Sequence, residues 1–382
     1  MSEWKYLTLN QMGKIARGKS KHRPRNDPRL YGGRYPFIQT ADVKAANLYL
    51  TSYSQTYNED GLAQSKLWPE ETLCITIAAN IADTAILSFP ACFPDSIMGF
   101  QADNNVCLVR YVKYCFDILQ AKCKQISQGA AQDNLSWERL SSIEFPVPAI
   151  ELQIKICSIL SSYDELIENN RKEIKLLEEA AQRLYKEWFI DFKFPGHETT
   201  PIDPETNLPE GWKRGTIGDR FSINTGKRDA NYGTSDGHYP FFTCAQEPIK
   251  APGYSFETEA IILAGNGDLY SRLFRGKFEA YQRTYVIEPF DSEYLFLGAH
   301  CIDASMRVLK NRAAGSTIKY LTKGMIESID FVIPTLKIQE QFTCFCESVQ
   351  SKVEKLQKQV AHLQEARDRL LPKLMSGEIE VN

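Results

Sequence analysis

The stretch at residues 156–188, ICSILSSYDELIENNRKEIKLLEEAAQRLYKEW, places apolar side chains at alternating steps of three and four. Two heptad rows run through it, one with Leu160, Ile167, Ile174, Ala181 and Trp188, the other with Ile156, Tyr163, Asn170, Leu177 and Leu184. An apolar seam with a period of about 3.5 residues allows two helices to pack along their length. The stretch therefore predicts a long helix that needs a second helix as its partner.

A second stretch repeats the first one 186 residues further along the chain. The sequence IEFPVP at residues 143–148 matches IDFVIP at residues 329–334, and two apolar rows follow in the same register. The predicted seam of the two helices consists of Leu160, Ile167, Ile174, Leu177, Leu184, Val353, Leu356, Val360, Leu363 and Leu370. In the second stretch Arg367 interrupts one row. Pro372 predicts a kink or an end near Leu371, because proline cannot donate the next helical hydrogen bond.

The segments before the two helices also match, although their spacing changes along the chain. Trp-Lys at residues 4–5 and 212–213 and Gly-Lys at residues 18–19 and 226–227 are 208 residues apart, and Tyr-Pro-Phe occurs at 35–37 and 239–241. Strand-like runs follow at 73–77 and 107–111 in the first copy and at 261–264 and 284–287 in the second. These two globular segments, called heads below, therefore differ in length while the helices do not.

The repeat predicts an α+β protein built from two heads and two long helices. We expect head 1 at residues 1–147, the first helix at 148–192, a linker at 193–211, head 2 at 212–333, the second helix at 334–376 and a tail at 377–382. The heads are expected to contain mixed or antiparallel strands, and the helices to pack as an antiparallel coiled coil about a pseudo-twofold axis. A helix of roughly 40 residues is about 60 Å long at ~1.5 Å per residue, so it could act as a spacer.

The composition is that of an ordinary soluble globular protein. Of the 382 residues, 43% are hydrophobic and 24% are charged, and the formal net charge is −3. The ten cysteines include no Cys-x-x-Cys pair, and no apolar run reaches the ~18 residues that a membrane span needs. We therefore expect a cytoplasmic protein with reduced cysteines, no membrane association and no metal site.

Positive charge is concentrated at the start of the chain, where residues 1–40 hold nine Lys or Arg and two acids. The densest part, residues 19–25, lies among Gly, Pro and Asn and is expected to form a loop. A run of cations is often only a solvated face, but this run follows a Gly-Lys pair, as Lys227 and Arg228 follow Gly226 in head 2. The recurrence favours contacts with nucleic-acid phosphates and base edges.

Residues 13–20, GKIARGKS, fit the phosphate-loop pattern but lack the buried strand before it and the helix after it that such a loop needs. Pro24 follows too closely for a helix to begin there. We interpret the match as chance. The histidines have no evident Ser or Cys partner for nucleophilic catalysis. The usual methyltransferase pocket motif is also absent. The sequence therefore predicts a non-catalytic chain that holds no cofactor.

The motifs of the two helices resemble those of the specificity subunit of type I restriction–modification systems. They are ELQ at 151–153, IENNR at 167–171, LLEEA at 176–180, LYKEWFIDF at 184–192, NLPEGW at 207–212 and LLPKLMSGE at 370–378. The resemblance spans essentially the whole chain and is loosest in the heads. It implies two target-recognition domains that read a bipartite, asymmetric site on double-stranded DNA. It also implies two methylation subunits and restriction-translocation subunits as partners, to which methyl transfer and ATP use would belong.

The chemistry of the side chains selects candidates, since Arg, Asn and Gln can read base edges while Lys more often binds phosphate. The predicted DNA-binding set is Lys19, Lys21, Arg23, Arg25, Gln39, Thr40, Asn80, Thr84, Lys227, Arg228, Thr243, Asn266, Arg272, Arg275 and Arg283. For Gln39, Thr40 and Asn80 a turn-capping role is an equal alternative. Three large apolar residues at a helix end are predicted to dock a partner subunit, with core packing against the linker as the alternative: Trp188, Phe189 and Phe192.

A second function class is compatible with the repeat, namely a coiled-coil adaptor whose two heads bind protein. Both classes use the long helices as a spacer, so the helices do not separate them. Binding to duplex DNA does, because only the first class requires it.

Overall fold

The structure, a computed structural model, describes residues 4–77, 83–126, 140–267, 269–313 and 320–381. It divides into two compact units: unit 1 comprises Met1–Arg171 with Lys358–Asn382, and unit 2 comprises Lys172–Gln357. Each unit therefore combines one head with a segment from each long helix. Among the helices of the described residues, none is long and apolar enough to cross a bilayer.

The described part of head 1 contains a five-stranded sheet, a four-stranded sheet and a two-stranded ribbon. Its strands are β1 Lys5–Leu7, β2 Gly13–Arg17, β3 Tyr31–Phe37, β4 Tyr49–Leu50, β5 Gln55–Tyr57, β6 Leu67–Trp68, β7 Leu73–Thr76, β8 Thr84–Leu87, β9 Ala91–Cys92, β10 Ile97–Ala102 and β11 Phe145–Val147. Its helices are α1 Leu9–Met12, α2 Thr40–Ala45, α3 Glu59–Ala63 and α4 Val109–Ile126, with a 3-10 turn at Pro28–Leu30. The strand orders are β2-β10-β7-β8-β4, β5-β3-β9-β6 and β1-β11. Strands β4 and β8 are parallel, as are β3 and β9, so the sheets are mixed.

The first long helix, α5, spans Ile150–Tyr185 and continues as one π-helical turn over Lys186–Ile190. Beyond it Phe192 adopts a left-handed conformation (φ 54°), and its neighbour Lys193 donates its backbone N–H to the Glu187 carbonyl at 2.7 Å. A left-handed residue after a helix caps its last carbonyl groups and turns the chain. The helix thus ends a few residues before Pro195.

Head 2 is built on one six-stranded sheet and a ribbon, with order β13-β18-β16-β17-β14-β15 and β12-β19 in the described residues. The strands are β12 Lys213–Thr216, β13 Phe221–Thr225, β14 Tyr239–Phe242, β15 Ile249–Ala251, β16 Phe256–Ala264, β17 Ser271–Ala280, β18 Thr284–Pro289 and β19 Asp330–Ile333. The helices are α6 Leu295–Arg312 and α7 Lys323–Glu327, and 3-10 turns lie at His197–Thr199, Ile217–Asp219, Ala230–Tyr232 and Ser292–Tyr294.

The second long helix, α8, spans Leu336–Met375 and contains Pro372. Of the two alternatives at Leu371, an end is wrong, since the helix continues for one more turn, and a kink stays a prediction. Leu371, Leu374 and Met375 are all buried in the core of unit 1, beside Leu9. A proline inside a helix costs about 3 kcal/mol, and the burial of three large apolar side chains outweighs that cost.

The heads share a topology as well as a sequence pattern. Strands β2-β10-β7-β8 of head 1 follow the same order as β13-β18-β16-β17 of head 2. The strand that carries Tyr-Pro-Phe pairs in parallel with β9 in one head, at Phe37, and with β17 in the other, at Phe241. Helices α4 and α6 begin 186 residues apart, at Val109 and Leu295.

The strand predicted at residues 107–111 is wrong, because helix α4 begins at Val109. Val112 and Phe116 follow Val109 at helical spacing, and all three side chains are buried. The strand of head 1 that corresponds to β18 of head 2 is instead β10, Ile97–Ala102. The apolar run at 107–111 is too short to distinguish a strand from the first turn of a buried helix.

Candidate DNA interface and helix seam

The basic loop of head 1 is tied to the head through its backbone. Lys19 donates its N–H to the Phe93 carbonyl at 3.0 Å, and its own carbonyl accepts from the Ser65 hydroxyl at 2.7 Å. The side-chain oxygen of Gln64 accepts from the N–H groups of Lys21 (2.6 Å) and His22 (3.0 Å). Four predicted DNA-binding side chains of this loop are exposed: Lys19, Lys21, Arg23 and Arg25.

Carboxylates inside the same loop region fix its shape. Asp27 is buried, accepts hydrogen bonds from both the backbone and the guanidinium of Arg29, and lies 2.8 Å from Nε2 of His22. The hydrogen bond from the Arg29 side chain, helped by its backbone N–H and by His22, holds the pKa of Asp27 well below its usual range. Asp27 therefore stays ionised and keeps the loop closed at any pH near neutrality.

The loop requires a glycine at its base. The N–H of Gly18 bonds to the Ile97 carbonyl at 2.8 Å, and a Cβ at this position would overlap the Pro94 carbonyl oxygen. In head 2 the N–H of Gly226 bonds to the Thr284 carbonyl at 3.2 Å, and a Cβ there would overlap the Ala280 carbonyl oxygen. The Gly-Lys pairs seen in the sequence thus mark the point where each loop passes close to a backbone carbonyl, in the turn after β9 in head 1 and at the end of β17 in head 2.

Other predicted positions of head 1 are less suited to DNA. Gln39 is the N-cap of α2, where its N–H bonds to Asp42 at 2.8 Å, and its side chain donates to Gln55 at 2.7 Å. Thr40 is the first residue of that helix, so the turn-capping alternative describes this pair well. Thr84 was expected in a polar turn but is the first residue of β8 and is buried, which removes it from a DNA-facing surface. Asn80 lies outside the described residues.

In head 2 the predicted residues fall into two groups. Lys227, Arg228 and Arg283 are exposed near the loop base, where the Arg228 carbonyl accepts from the Gln282 N–H at 3.0 Å. Two further predicted residues of head 2, Thr243 and Asn266, are partly exposed. The hydroxyl of Thr243 accepts a hydrogen bond from the Ala245 N–H at 3.2 Å.

The remaining two arginines already have partners within unit 2. Arg275 donates to Glu347 of α8 at 3.0 Å and its Nε lies 3.3 Å from Glu259. Arg272 stacks over Tyr270, with 5.1 Å between the guanidinium carbon and the ring centroid, and donates to the Gln246 carbonyl. These contacts give both side chains structural roles in the head, so they are weaker candidates for DNA.

All ten predicted seam residues are buried or half-buried. Within unit 1, Asp164 pairs with Arg367 and Asn170 contacts Gln359, so the two helix segments run antiparallel. Within unit 2 the same direction is given by Glu173 with Lys352 (3.2 Å) and by Trp188 with Phe342 (6.1 Å between ring centroids). The prediction of antiparallel long helices is confirmed in each unit.

A buried ion pair interrupts the apolar seam in unit 1. Arg367 Nη1 lies 2.6 Å from Oδ1 of Asp164, whose side chain is 4% exposed, and Tyr114 donates its hydroxyl to Oδ2 at 2.8 Å. Burial lowers the pKa of Arg367, but hydrogen bonds to Asp164 and Asp368 raise it above the usual value. Arg367 therefore interrupts the apolar heptad row because its side chain pairs with a buried carboxylate.

The aromatic end of α5 belongs largely to the core of unit 2. Phe189 is 3% exposed and packs on Phe342 and Trp212, with ring centroids 4.9 Å and 5.7 Å away. Phe192 also contacts Trp212, at 5.7 Å, and is half-buried, as is Trp188. The core-packing alternative accounts for Phe189, and the docking role of the other two stays a prediction.

Two matches to one family profile cover the chain. The profile describes the type I restriction modification DNA specificity domain and matches residues 1–179 and again residues 209–363. The chain belongs to this family. The double match coincides with the repeat, since each copy covers one head and most of the helix that follows it.

Curated relatives carry the same family name. A type I restriction enzyme MjaIX specificity subunit from Methanocaldococcus jannaschii is 26% identical over 411 aligned positions, covering 99% of this chain and 94% of that protein. The EcoDI specificity subunit of Escherichia coli is 36% identical over 178 residues, which is 45% of this chain and 39% of that protein. A crystal structure of a type I restriction-modification S subunit from M. genitalium has the same fold, with a TM-score of 0.55, 15% identity and coverage of 98% and 96% of the two chains.

Several side chains that shape the site carry no signal in one sequence. Gln64, Ser65 and Asp95 are far from the basic loop along the chain, and Glu279 sits inside an apolar strand. Asp164 looks like a surface charge on a heptad helix, and Arg367 looks like a break in an apolar row. The pairing of Asp164 with Arg367 has one sequence signal, because an acid and a base lie at facing positions of two predicted antiparallel helices.

Proposed function

We propose that this chain is the DNA-reading subunit of a type I restriction–modification complex. Its two heads would read the two halves of a bipartite, asymmetric site on double-stranded DNA. The antiparallel long helices would set the gap between the halves. The chain itself would perform no catalysis and hold no cofactor, since methyl transfer and ATP use would belong to its partners.

The observation that carries the proposal is a Gly-Lys pair at the base of a loop at equivalent places in the two heads. Each glycine, Gly18 and Gly226, lies against a backbone carbonyl, and the loop of head 1 is strongly basic while that of head 2 adds Lys227 and Arg228 among acids. Beyond that point the heads differ in length, sheet arrangement and charge. Equivalent placement supports a common ligand, and different surfaces support two different half-sites.

The proposed partners are two methylation subunits, with restriction-translocation subunits joining them. The half-buried Trp188 and Phe192 support a docking site at the end of α5, next to Trp212 in the same unit. Large aromatic side chains that remain partly exposed are enriched where proteins bind one another. Co-purification of the methylation subunit with the wild-type chain, and its loss with Trp188→Ala, is the expected result.

Selection from random duplex DNA tests the proposed function. The full-length chain with its methylation partner should retain duplex at low salt and enrich two short constant blocks at a fixed distance. Binding should weaken steeply as salt rises, because phosphate contacts release counterions. Failure to retain DNA at any salt would contradict the proposal and favour the adaptor alternative, in which the heads bind protein.

A further inference from the structure

Glu279 is a completely buried carboxylate beneath the basic loop of head 2. It lies near the end of β17, and its Oε2 accepts from the Ser255 hydroxyl at 2.7 Å and sits 3.6 Å from Nε of Arg228. Burial of a carboxylate costs free energy unless charge and hydrogen bonds compensate for the lost water. Its other oxygen, Oε1, accepts from the Ala280 N–H at 3.0 Å, so both oxygens of the buried carboxylate have hydrogen-bond partners in the fold.

Arg228 is held on two sides. Glu279 engages its Nε, and the ring of Tyr232 lies under the guanidinium, with 4.3 Å between the guanidinium carbon and the ring centroid. Its backbone carbonyl accepts from Gln282 at 3.0 Å, which ties the loop to the start of β18. The side chain is still 49% exposed, so one edge of a fixed, planar donor group faces outward.

We propose that Glu279 is a positioning residue that orients Arg228 to read a guanine in the half-site of head 2. This inference rests on the proposed DNA-binding function. A phosphate contact gains from a mobile, fully charged side chain, whereas a neutralised and immobilised guanidinium gains little from phosphate. A planar fork with a fixed direction suits the two acceptors that guanine presents in the major groove.

Head 1 has a comparable arrangement with a different acid. Asp95, in the turn between β9 and β10, pairs with Arg25 and lies 3.8 Å from Arg23. The residue that corresponds to Glu279 is Cys92, because each pairs with the Phe of the Tyr-Pro-Phe strand. The acid of head 1 is 42% exposed and that of head 2 is buried, so the two arginines face acids in different environments.

The test uses the full-length chain with its methylation partner and a pool of random duplex DNA. Glu279→Gln keeps the size of the side chain and removes the charge, and its single amide oxygen can still accept from the Ala280 N–H while the Ser255 hydroxyl rotates to accept from the amide NH2. It should lower the preference for guanine at one position of one half-site by about tenfold. Affinity for random duplex at low salt should stay equal or rise, because one negative charge is lost. Asp95→Asn, the matched control, should affect only the other half-site.

A double-mutant cycle separates positioning from a general structural effect. If Glu279 acts through Arg228, the variant with both Glu279→Gln and Arg228→Ala should discriminate no worse than Arg228→Ala alone. Arg228→Lys keeps the charge and removes the planar fork, so it should lose nearly as much guanine preference as Arg228→Ala while random duplex is still bound. Where Glu279→Gln does not fold, Arg228→Lys still tests the reading of guanine by Arg228, on which the role of Glu279 depends.

Three outcomes would overturn the inference. They are additive losses in the cycle, equal weakening at every sequence, or guanine preference that survives Arg228→Lys. A wild-type chain that selects no sequence would overturn the proposed function and this inference with it. A wild-type chain that selects a bipartite site, with unchanged selection by Glu279→Gln and Arg228→Lys, would overturn the inference alone.

Discussion

Equivalent positions of the two units hold different buried chemistry. Asp117 on α4 and Asp303 on α6 are 186 residues apart, and each follows a buried cysteine two residues earlier. In unit 1 Asp117 pairs with the buried Lys113 at 2.5 Å. In unit 2 the position of Lys113 is occupied by Ala299, and Asp303 instead accepts a hydrogen bond from Ser271.

The contacts between the two long helices also differ between unit 1 and unit 2. Unit 1 has the ion pair of Asp164 with Arg367, whereas Gln350 and Ala181 occupy the corresponding positions in unit 2. In unit 2, aromatic side chains pack around Phe342 where the two helix segments meet. The repeat therefore preserves the course of the backbone while the two units stabilise it differently, one with paired charges and the other with apolar packing.

The largest expected change in stability follows from breaking the ion pair of Asp164 with Arg367. Arg367→Ala leaves Asp164 buried without a counter-charge, and we expect a loss of about 3–5 kcal/mol in the free energy of unfolding. Urea denaturation of the full-length chain, followed by a signal from unit 1, measures it. Gln350→Ala at the matched position should change stability by less than about 0.5 kcal/mol. A loss below about 1 kcal/mol for Arg367→Ala would show that water replaces the arginine.

A smaller effect is expected at Gly18 and Gly226, where each loop passes close to a backbone carbonyl. Gly18→Ala and Gly226→Ala each force a methyl group against a backbone carbonyl, so the loop must shift. We expect each to cost about 1–3 kcal/mol and to weaken DNA binding in its own half-site. Gly324→Ala is the control, because a Cβ there meets open space. If both loop variants bind and melt like the control, the close approach is not required.

Asp117, which pairs with a lysine, and Asp303, which accepts from a serine, should change the free energy of unfolding with opposite signs when each is replaced by asparagine. Asp303→Asn should stabilise the protein by about 1 kcal/mol at pH 7, because it removes a carboxylate whose ionisation is opposed by burial. Asp117→Asn should destabilise it by about 1–3 kcal/mol, because Lys113 loses its counter-charge. Thermal melts of both variants at pH 7 measure the two signs. Equal signs would contradict the comparison.

The pH dependence follows from the pKa of Asp303. Burial is the main cause that raises this pKa from 3.8 to about 6 in the folded chain. Between about pH 4 and pH 6 the folded state therefore holds a proton that the unfolded state has lost. The contribution of Asp303 to stability falls as the pH rises through this window and is constant above it. Asp303→Asn should remove that fall, which unfolding curves at pH 4.5 and 6.5 would measure.

The smallest expected effect concerns the lysines of the two loops. Lys19→Ala and Lys227→Ala should weaken binding to all sequences alike and reduce the slope of log affinity against log salt by about 0.9 each. Titration of one selected duplex at four salt concentrations measures the slope. A change in the selected bases, with an unchanged slope, would assign these lysines to base reading.

Much of the architecture could be predicted because helical periodicity and repetition are local properties of a chain. The seam residues, the antiparallel direction and the two heads follow from heptads and matching segments such as Ile143 and Ile329. The short run at residues 107–111 was assigned to a strand although a pattern of Cys-x-Asp, at 115–117 and 301–303, repeats at the helix offset. That repeat is the sequence signal that distinguishes helix α4 from a strand at these residues.

The site was harder, because a DNA-facing position is defined by tertiary exposure. Lys19 and Arg25 were identifiable from a dense cluster on a loop. Thr84 and Arg275 look equally suitable in sequence, yet one is buried in a strand and the other is held by two glutamates. Partners such as Gln64 and Glu279 approach the loops only through the sheet, so no sequence pattern links them.

The bonds around Asp164 have a consequence for exchanging heads between related chains. Asn47 and Tyr114, both in head 1, reach Asp164 at 3.4 Å and 2.8 Å, so a foreign head grafted onto these helices would have to satisfy the same carboxylate. Head 2 meets its helix segments through apolar side chains packed around Phe342 of α8 and through the partly exposed pair of Arg275 with Glu347, contacts that tolerate substitution better than a buried carboxylate. New DNA specificities should therefore be acquired more readily by replacing the second head than the first.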